Sequence, residues 1–273
     1  MRLPQRNLVF TVLSLLLLAV FLFPIYWIVV SSLETQTQIF HNPPYLLPPT
    51  PSLASYSTAM SELGRYLVNS IVISFGTVTV SLLIGAPAAF ALAHLRVRFT
   101  LVFVLALLIT QMVPDVMLAT PLFLLFNRAN LIDTYPGLIL ADSTYAVPFV
   151  ILTLRAFMLS VPFDLVEAGF VDGSGLLGTF WRIIIPVALP GLATSALFAF
   201  LFAWGDFTFG LTLTTATTVQ PVTVGLYTFV GQYSTAWNNL MAGSILAALP
   251  TVLLLVLAQR YIRAGLTTGA VRG

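Results

Sequence analysis

Cysteine is absent from this chain of 273 residues, and so is lysine: all 11 basic residues are arginine. Without cysteine there are no disulfides, thiolate metal sites or cysteine nucleophiles. Without lysine there is no P-loop lysine, hence no self-contained Walker-type ATPase, and no Schiff-base chemistry. The two histidines, His41 and His94, lie far apart, so no HExxH zinc site can form. Charge of either sign is scarce. Basic and acidic residues together make 7% of the chain, where a soluble domain carries roughly 25%. So few charges cannot cover a soluble surface of this size. The arginines occur singly and in pairs and the net charge is only +2, which argues against nucleic-acid binding.

What is present is apolar. Hydrophobic residues make 59% of the chain, with 21 Phe, 9 Tyr and 4 Trp. Charge-free windows long enough for a bilayer-crossing helix, about 20 residues, predict an all-α polytopic membrane protein. Its six helices are expected near 8–30, 67–93, 101–125, 136–158, 183–204 and 241–259, in a single transmembrane domain over 1–273. Arg2 and Arg6 ahead of the first window look like a signal-peptide start. However, the apolar run exceeds a typical signal core of about 7–15 residues and no A-x-A site follows, so it reads as an uncleaved helix. With the N-terminus inside, nine arginines fall in inner segments and two, Arg65 and Arg128, in outer ones. This positive-inside bias predicts cytoplasmic termini. The outer segment 34–65 carries Pro43, Pro44, Pro48, Pro49 and Pro51 and is expected to be stiff and extended.

The segment 160–182 between the fourth and fifth helices stands out. Ser160 and Pro162 suit a helix start, with Asp164 and Glu167 near its positive N-terminal end. Gly173 can take a left-handed C-cap, and Ser174 can cap the next helix. The letters Gly173-Ser174-Gly175-Leu176-Leu177-Gly178 also match a dinucleotide fingerprint, but no strand precedes them and no βαβ unit surrounds them.

The order Glu167-Ala168-Gly169, then Gly173, then Ile183-Ile184-Ile185-Pro186 resembles the EAA loop of ABC-transporter permeases. That loop has Glu-Ala-Ala, three residues, Gly, nine residues, then Ile-x-Leu-Pro. Gly169 replaces the second alanine and is expected to loosen the helix by about 1 kcal/mol; Ile185 replaces leucine. The C-terminal run Gly265–Gly273 is similar to the tail of the shorter permease subunit of maltose-type sugar importers, with arginine where lysine is usual. Weaker echoes are Pro24-Ile25-Tyr26-Trp27, Ser31-Ser32-Leu33, Asn69-Ser70 and Trp204-Gly205-Asp206, the last with glycine where the family more often has asparagine.

This resemblance implies a type I ABC importer permease fold in a prokaryotic inner membrane, not an enzyme. It implies a heterodimer with a second permease subunit and a pair of ATP-binding subunits beneath it. An extracytoplasmic solute-binding protein would deliver a sugar, most simply a di- or oligosaccharide. No cofactor would sit on this chain, since ATP and Mg would be held by the ATPase partners. Glu167, Ala168, Gly169, Asp172 and Gly173 would belong to the ATPase-docking loop. Gly265, Leu266, Thr267 and Gly269 in the tail 265–273 would reach the ATPase dimer. The same machine carrying a sugar phosphate, polyamine or other polar solute is the alternative. A stand-alone secondary carrier would want inverted repeats with paired broken helices, and the sequence has none.

Candidates for the solute path come from the residues themselves. Gln111 and Asp115 are four apart, hence on one helix face, and a carboxylate deep in a membrane helix is a functional candidate by default. The alternative is a hydrogen bond to a partner helix or a water-filled vestibule opened by Pro114. Asp142, with Ser143, Thr144 and Tyr145, is expected nearer the outer rim. Asp206 and Asn238-Asn239 read as loop residues that could face the binding protein.

Overall fold

Pro114, Pro186 and Pro190 stand at breaks in the apolar windows of this chain, whereas Pro24, Pro87, Pro121, Pro148 and Pro250 lie inside helices. The computed structural model describes residues 5–95, 97–231 and 235–270, with side chains over 10–95, 97–231 and 235–259. The elements begin with α1 Gln5–Leu33, α2 Gln36–Ile39, α3 Ala54–His94, α4 Thr100–Thr110 and α5 Asp115–Arg128. They continue with α6 Tyr135–Leu159, α7 Phe163–Val171 and α8 Leu176–Thr179. A π-helical stretch, Phe180–Ile184, leads into α9 Ile185–Val187, α10 Leu189–Gly205, α11 Thr208–Thr212, α12 Val222–Tyr227 and α13 Trp237–Ala270. Among the described residues there is no strand, only an isolated antiparallel bridge from Val230 to Thr235.

Four segments are long and apolar enough to cross a bilayer: Phe10–Leu33, Ala54–His94, Tyr135–Leu159 and Trp237–Gln259. Two helix pairs qualify only together. α4 and α5 meet at 96°, and Leu176–Val187 meets α10 at 79°. Pro114 stands at the first break, where no helical N–H is available from it. Pro186 and Pro190 flank the second.

Several bounds correct the sequence reading. The segment 34–65 is not extended throughout. α2 carries a reciprocal Thr35–Gln38 capping box, and α3 starts at Ala54, well before residue 67. The last proline of the cluster is Pro51. Beyond it the Ser52 hydroxyl accepts the Ala54 N–H and the Leu53 carbonyl accepts those of Tyr56 and Ser57, so helix can begin. The fifth predicted helix starts at Leu189 rather than 183, because the chain bends between its two prolines. α13 runs from Trp237 to Ala270, outside the expected 241–259 at both ends. Backbone helix thus continues into the predicted tail; the side chains of Gly265, Leu266, Thr267 and Gly269, and all of residues 271–273, lie outside the described residues.

The chain forms two compact units, residues 1–64 with 225–249, and residues 65–224 with 250–273. In the first, polar side chains tie the segment after α1: Ser32 Oγ meets Tyr56 Oη at 2.8 Å, Gln36 Nε2 donates to the Thr235 carbonyl at 2.6 Å, and Asn238 Nδ2 donates to Ser55 Oγ at 3.0 Å. Asn238 and Asn239 sit in the first turn of α13 rather than in a loop.

In the second unit, α6 is the central helix. Small residues let neighbours approach it closely, as membrane helix packing requires. A Cβ on Gly85 of α3 would lie 2.6 Å from Val150 Cγ1, and one on Gly191 of α10 would lie 2.6 Å from Phe157 Cγ. Ala86, Ala89, Ala146, Val150, Leu154 and Met158 fill the resulting core with Val166, Phe180 and Ile184. Asn69 pins the 213–222 segment onto α3. Its Nδ2 donates to the carbonyls of Thr218 and Gln220 at 3.1 and 2.9 Å, while Tyr135 Oη donates to its Oδ1 at 2.7 Å.

Candidate functional site

Two places in the second unit gather the residues singled out by sequence. The first is a cavity of about 450 Å³. Gln111 reaches it from the break between α4 and α5, Asp115 from the start of α5, and Asp142 and Tyr145 from α6. Phe202 comes from α10, and Asp206, Phe207, Thr208 and Phe209 from the turn into α11. Gln111 and Asp115 do not share a helix face as expected from sequence, because the helix ends between them. The break itself brings both to the cavity.

The hydrogen bonds explain how the broken backbone is held. Gln111 Nε2 donates to the Tyr145 carbonyl at 3.1 Å, and Tyr145 Oη donates to the Val113 carbonyl at 2.6 Å. A carbonyl at a helix break in an apolar region must find a donor, and Tyr145 supplies it. Asp206, read from sequence as a loop residue, does lie between α10 and α11 and there acts as a cap: its Oδ1 and Oδ2 accept the N–H groups of Phe209 and Gly210 at 3.1 and 2.8 Å. The Thr223 hydroxyl donates to its backbone carbonyl. Thr208 Oγ1 donates to Asp115 Oδ2 at 3.0 Å. Asp142 differs from both. It is 5% exposed and lines the cavity, yet none of the hydrogen bonds among the described residues reaches its carboxyl. Among the described residues, no basic side chain lines this cavity.

The second place is α7 and the turn after it. Val166 and Gly169 are buried on its inner side. A Cβ on Gly169 would lie 2.7 Å from Ile183 Cδ1 and 2.9 Å from Thr179 Oγ1. Glycine at this position therefore serves a close approach, which the cost to helix propensity alone did not suggest. Gly173 has φ +80°, and the helix ends in a Schellman pair: the Ser174 N–H donates to the Gly169 carbonyl at 2.9 Å and the Gly173 N–H to Phe170 at 3.1 Å. Ser160 and Ser174 are not N-caps here. The Ser160 hydroxyl donates to the Phe157 carbonyl at the end of α6, and Gly175 occupies the N-cap of α8. Glu167, Ala168, Asp172 and Gly173 are exposed, among the exposed apolar residues Phe163, Phe170 and Val171, the last at 86%. The result is an acidic and apolar outer face on a helix whose inner face is locked.

Residues 81–267 match the family described as binding-protein-dependent transport system inner membrane component. The chain belongs to this family. Among relatives of the transporter component is the trehalose transport system permease protein SugB of Mycobacterium tuberculosis, 35% identical over 98% of this chain and 99% of that protein. Another is the diacetylchitobiose uptake system permease protein DasC of Streptomyces coelicolor, 30% identical over 92% of each. In three dimensions the chain is similar to a chain of a bacterial ABC transporter that imports the acidic polysaccharide alginate, with a TM-score of 0.79, 22% identity, and coverage of 96% and 99%. The all-α importer permease fold expected from sequence is therefore the observed one. The chain is a multi-pass inner membrane component of a binding-protein-dependent transport system, not an enzyme.

Proposed function

We propose that this chain is the sugar-translocating permease subunit of an ATP-driven importer. It would have six spans with both termini in the cytoplasm, and a second permease subunit would complete the path. The cargoes for which its relatives are named, trehalose, diacetylchitobiose and arabinooligosaccharides, support a di- or oligosaccharide. Relatives that carry such sugars align over nearly the whole chain, which favours this cargo over the polyamine alternative.

The observation that carries the coupling part is the outer face of α7. Glu167 and Ala168 are exposed beside Phe170 and Val171, while Gly169 and the Schellman turn at Gly173 fix the helix from behind. An ATPase subunit gripping this face would move α7, and with it the π-helical stretch and α10, which follow directly in the chain. The α13 extension toward 265–273 would enter the ATPase dimer. Gln111, Asp115, Asp142 and Tyr145 would line the solute path through their shared cavity.

The test is reconstitution of the complete importer in proteoliposomes, with disaccharide uptake and ATP hydrolysis followed together. Gly173→Pro cannot keep φ +80° or donate the N–H to Phe170, and Ala168→Trp crowds the docking face. Both variants should insert and assemble, and both should hydrolyse ATP without uptake in proportion. Normal uptake by both would overturn the docking assignment.

A further inference from the structure

From the cavity chemistry we infer that this chain selects its solute by charge, accepting sugars whose polar groups are hydroxyl or ammonium donors and rejecting those that carry a phosphate, sulfonate or carboxylate. The inference rests on the proposal that the cavity lies on the solute path.

Three carboxyl groups, those of Asp115, Asp142 and Asp206, line one cavity, and among the described residues no arginine or histidine lines it with them. Two of them already have protein partners. Asp206 holds the first turn of α11 through two backbone N–H groups, and Asp115 accepts the Thr208 hydroxyl. Asp142 is more than nine-tenths buried, faces the cavity, and has no protein donor among the described residues. A buried carboxyl left without a partner is costly in an apolar region. A donor that arrives with the solute removes that cost.

The hydroxyl groups of a sugar suit this arrangement, because a carboxylate accepts several hydrogen bonds and donates none. Phe202, Phe207 and Phe209 present apolar surface for the C–H faces of the ring, with Phe209 6.2 Å from the Tyr145 ring. An anionic substituent meets no cation among the described residues here. It would be placed against like charge in a region where water screens poorly, and like-charge juxtaposition is strongly unfavourable.

The experiment uses the assembled permease–ATPase complex in nanodiscs without the solute-binding protein, so that the delivery protein's own preference does not enter. Saturation-transfer NMR compares matched pairs: trehalose with trehalose 6-phosphate, and maltose with maltobionate. In each pair the neutral sugar should bind at least about tenfold more tightly, as expected for unpaired like charges in a partly buried site. Asp142→Asn, and separately Asp115→Asn at the exposed rim, should narrow that ratio, and a ratio unchanged in both variants overturns the charge selection. Equal binding of neutral and anionic members by the unsubstituted complex overturns the charge selection and leaves the cavity as a solute site. Absence of binding by every probe overturns the cavity as a solute site, and the selection with it.

Discussion

Asp133 joins two connecting segments through a single side chain. It sits between α5 and α6 with φ +57°, and its own N–H donates to the Leu213 carbonyl at 3.1 Å. Its carboxylate accepts Thr215 N–H at 2.7 Å, Thr215 Oγ1 at 2.6 Å and Ala216 N–H at 2.8 Å. Partial burial works to raise this carboxyl, but the hydrogen bonds from Thr215 and Ala216 outweigh it and hold the group below the usual aspartate value. A folded-state value below the unfolded one gives stability that is present above the unfolded value and lost as pH falls through the folded one. Asp133→Asn should therefore destabilise the protein by about 1–2 kcal/mol at pH 7, allowing for solvent screening at this partly exposed site. The deficit should persist on acidification and shrink only below about pH 4. Thermal unfolding of the two proteins across that range checks it; equal melting temperatures at pH 7 would remove the clip. Gly169 gives a second prediction at this scale. Its Cβ position is already within contact of Ile183 and Thr179, so the added methyls of Gly169→Val overpack the site. A loss of about 1–3 kcal/mol is expected, read as a lower melting temperature.

The helix breaks show what an element owes to its neighbours. At the α4–α5 break the Val113 carbonyl depends on the Tyr145 hydroxyl. Tyr145→Phe keeps the ring and removes that donor, so the fold should lose about 1–3 kcal/mol, the cost of an unsatisfied buried acceptor. A thermal shift assay in detergent measures it, and an unchanged melting temperature would mean that another donor serves Val113. Pro114 marked the place in the sequence but did not by itself announce a break, since Pro24, Pro87, Pro121, Pro148 and Pro250 lie inside helices. The 96° angle was not legible, because it depends on where the freed groups find partners in α6. The same division applies elsewhere. The α7 end at Gly173 could be read directly, because a left-handed glycine C-cap is a local device. The onset of α3 at Ala54 could not, since the preceding prolines suggested an extended chain and the bonds from Ser52 and Leu53 that start the helix leave no strong pattern. Gln111, Asp115, Asp142 and Tyr145 drew attention singly, as polar groups in apolar windows. Their convergence on one cavity became visible only with the break in place. Asp206 was legible as a loop residue, but its capping of α11 was not, because that requires a turn that sequence does not announce.

Across the whole molecule, the two bent pairs decide the topology. If each crosses the membrane once, the chain has six spans and α7 lies on the cytoplasmic side with both termini. If both re-enter on one side, only the four straight segments cross. The termini then remain cytoplasmic, but α7 moves outside and Arg128 moves in. Arginine placement separates the two. Six spans leave Arg65 and Arg128 outside, whereas four spans leave Arg65, Arg155 and Arg182 outside. The positive-inside rule favours the first, which is also the arrangement that the proposed docking of α7 on an ATPase requires. The natural absence of cysteine makes a direct measurement simple, because any introduced thiol is the sole target on this chain. Leu47→Cys, Arg128→Cys and Leu165→Cys place that thiol at exposed positions in three different connections. In intact spheroplasts a membrane-impermeant maleimide should label the first two, and Leu165→Cys only after permeabilisation. Labelling of Leu165→Cys but not Arg128→Cys in intact spheroplasts would establish the four-span arrangement and detach α7 from any ATPase.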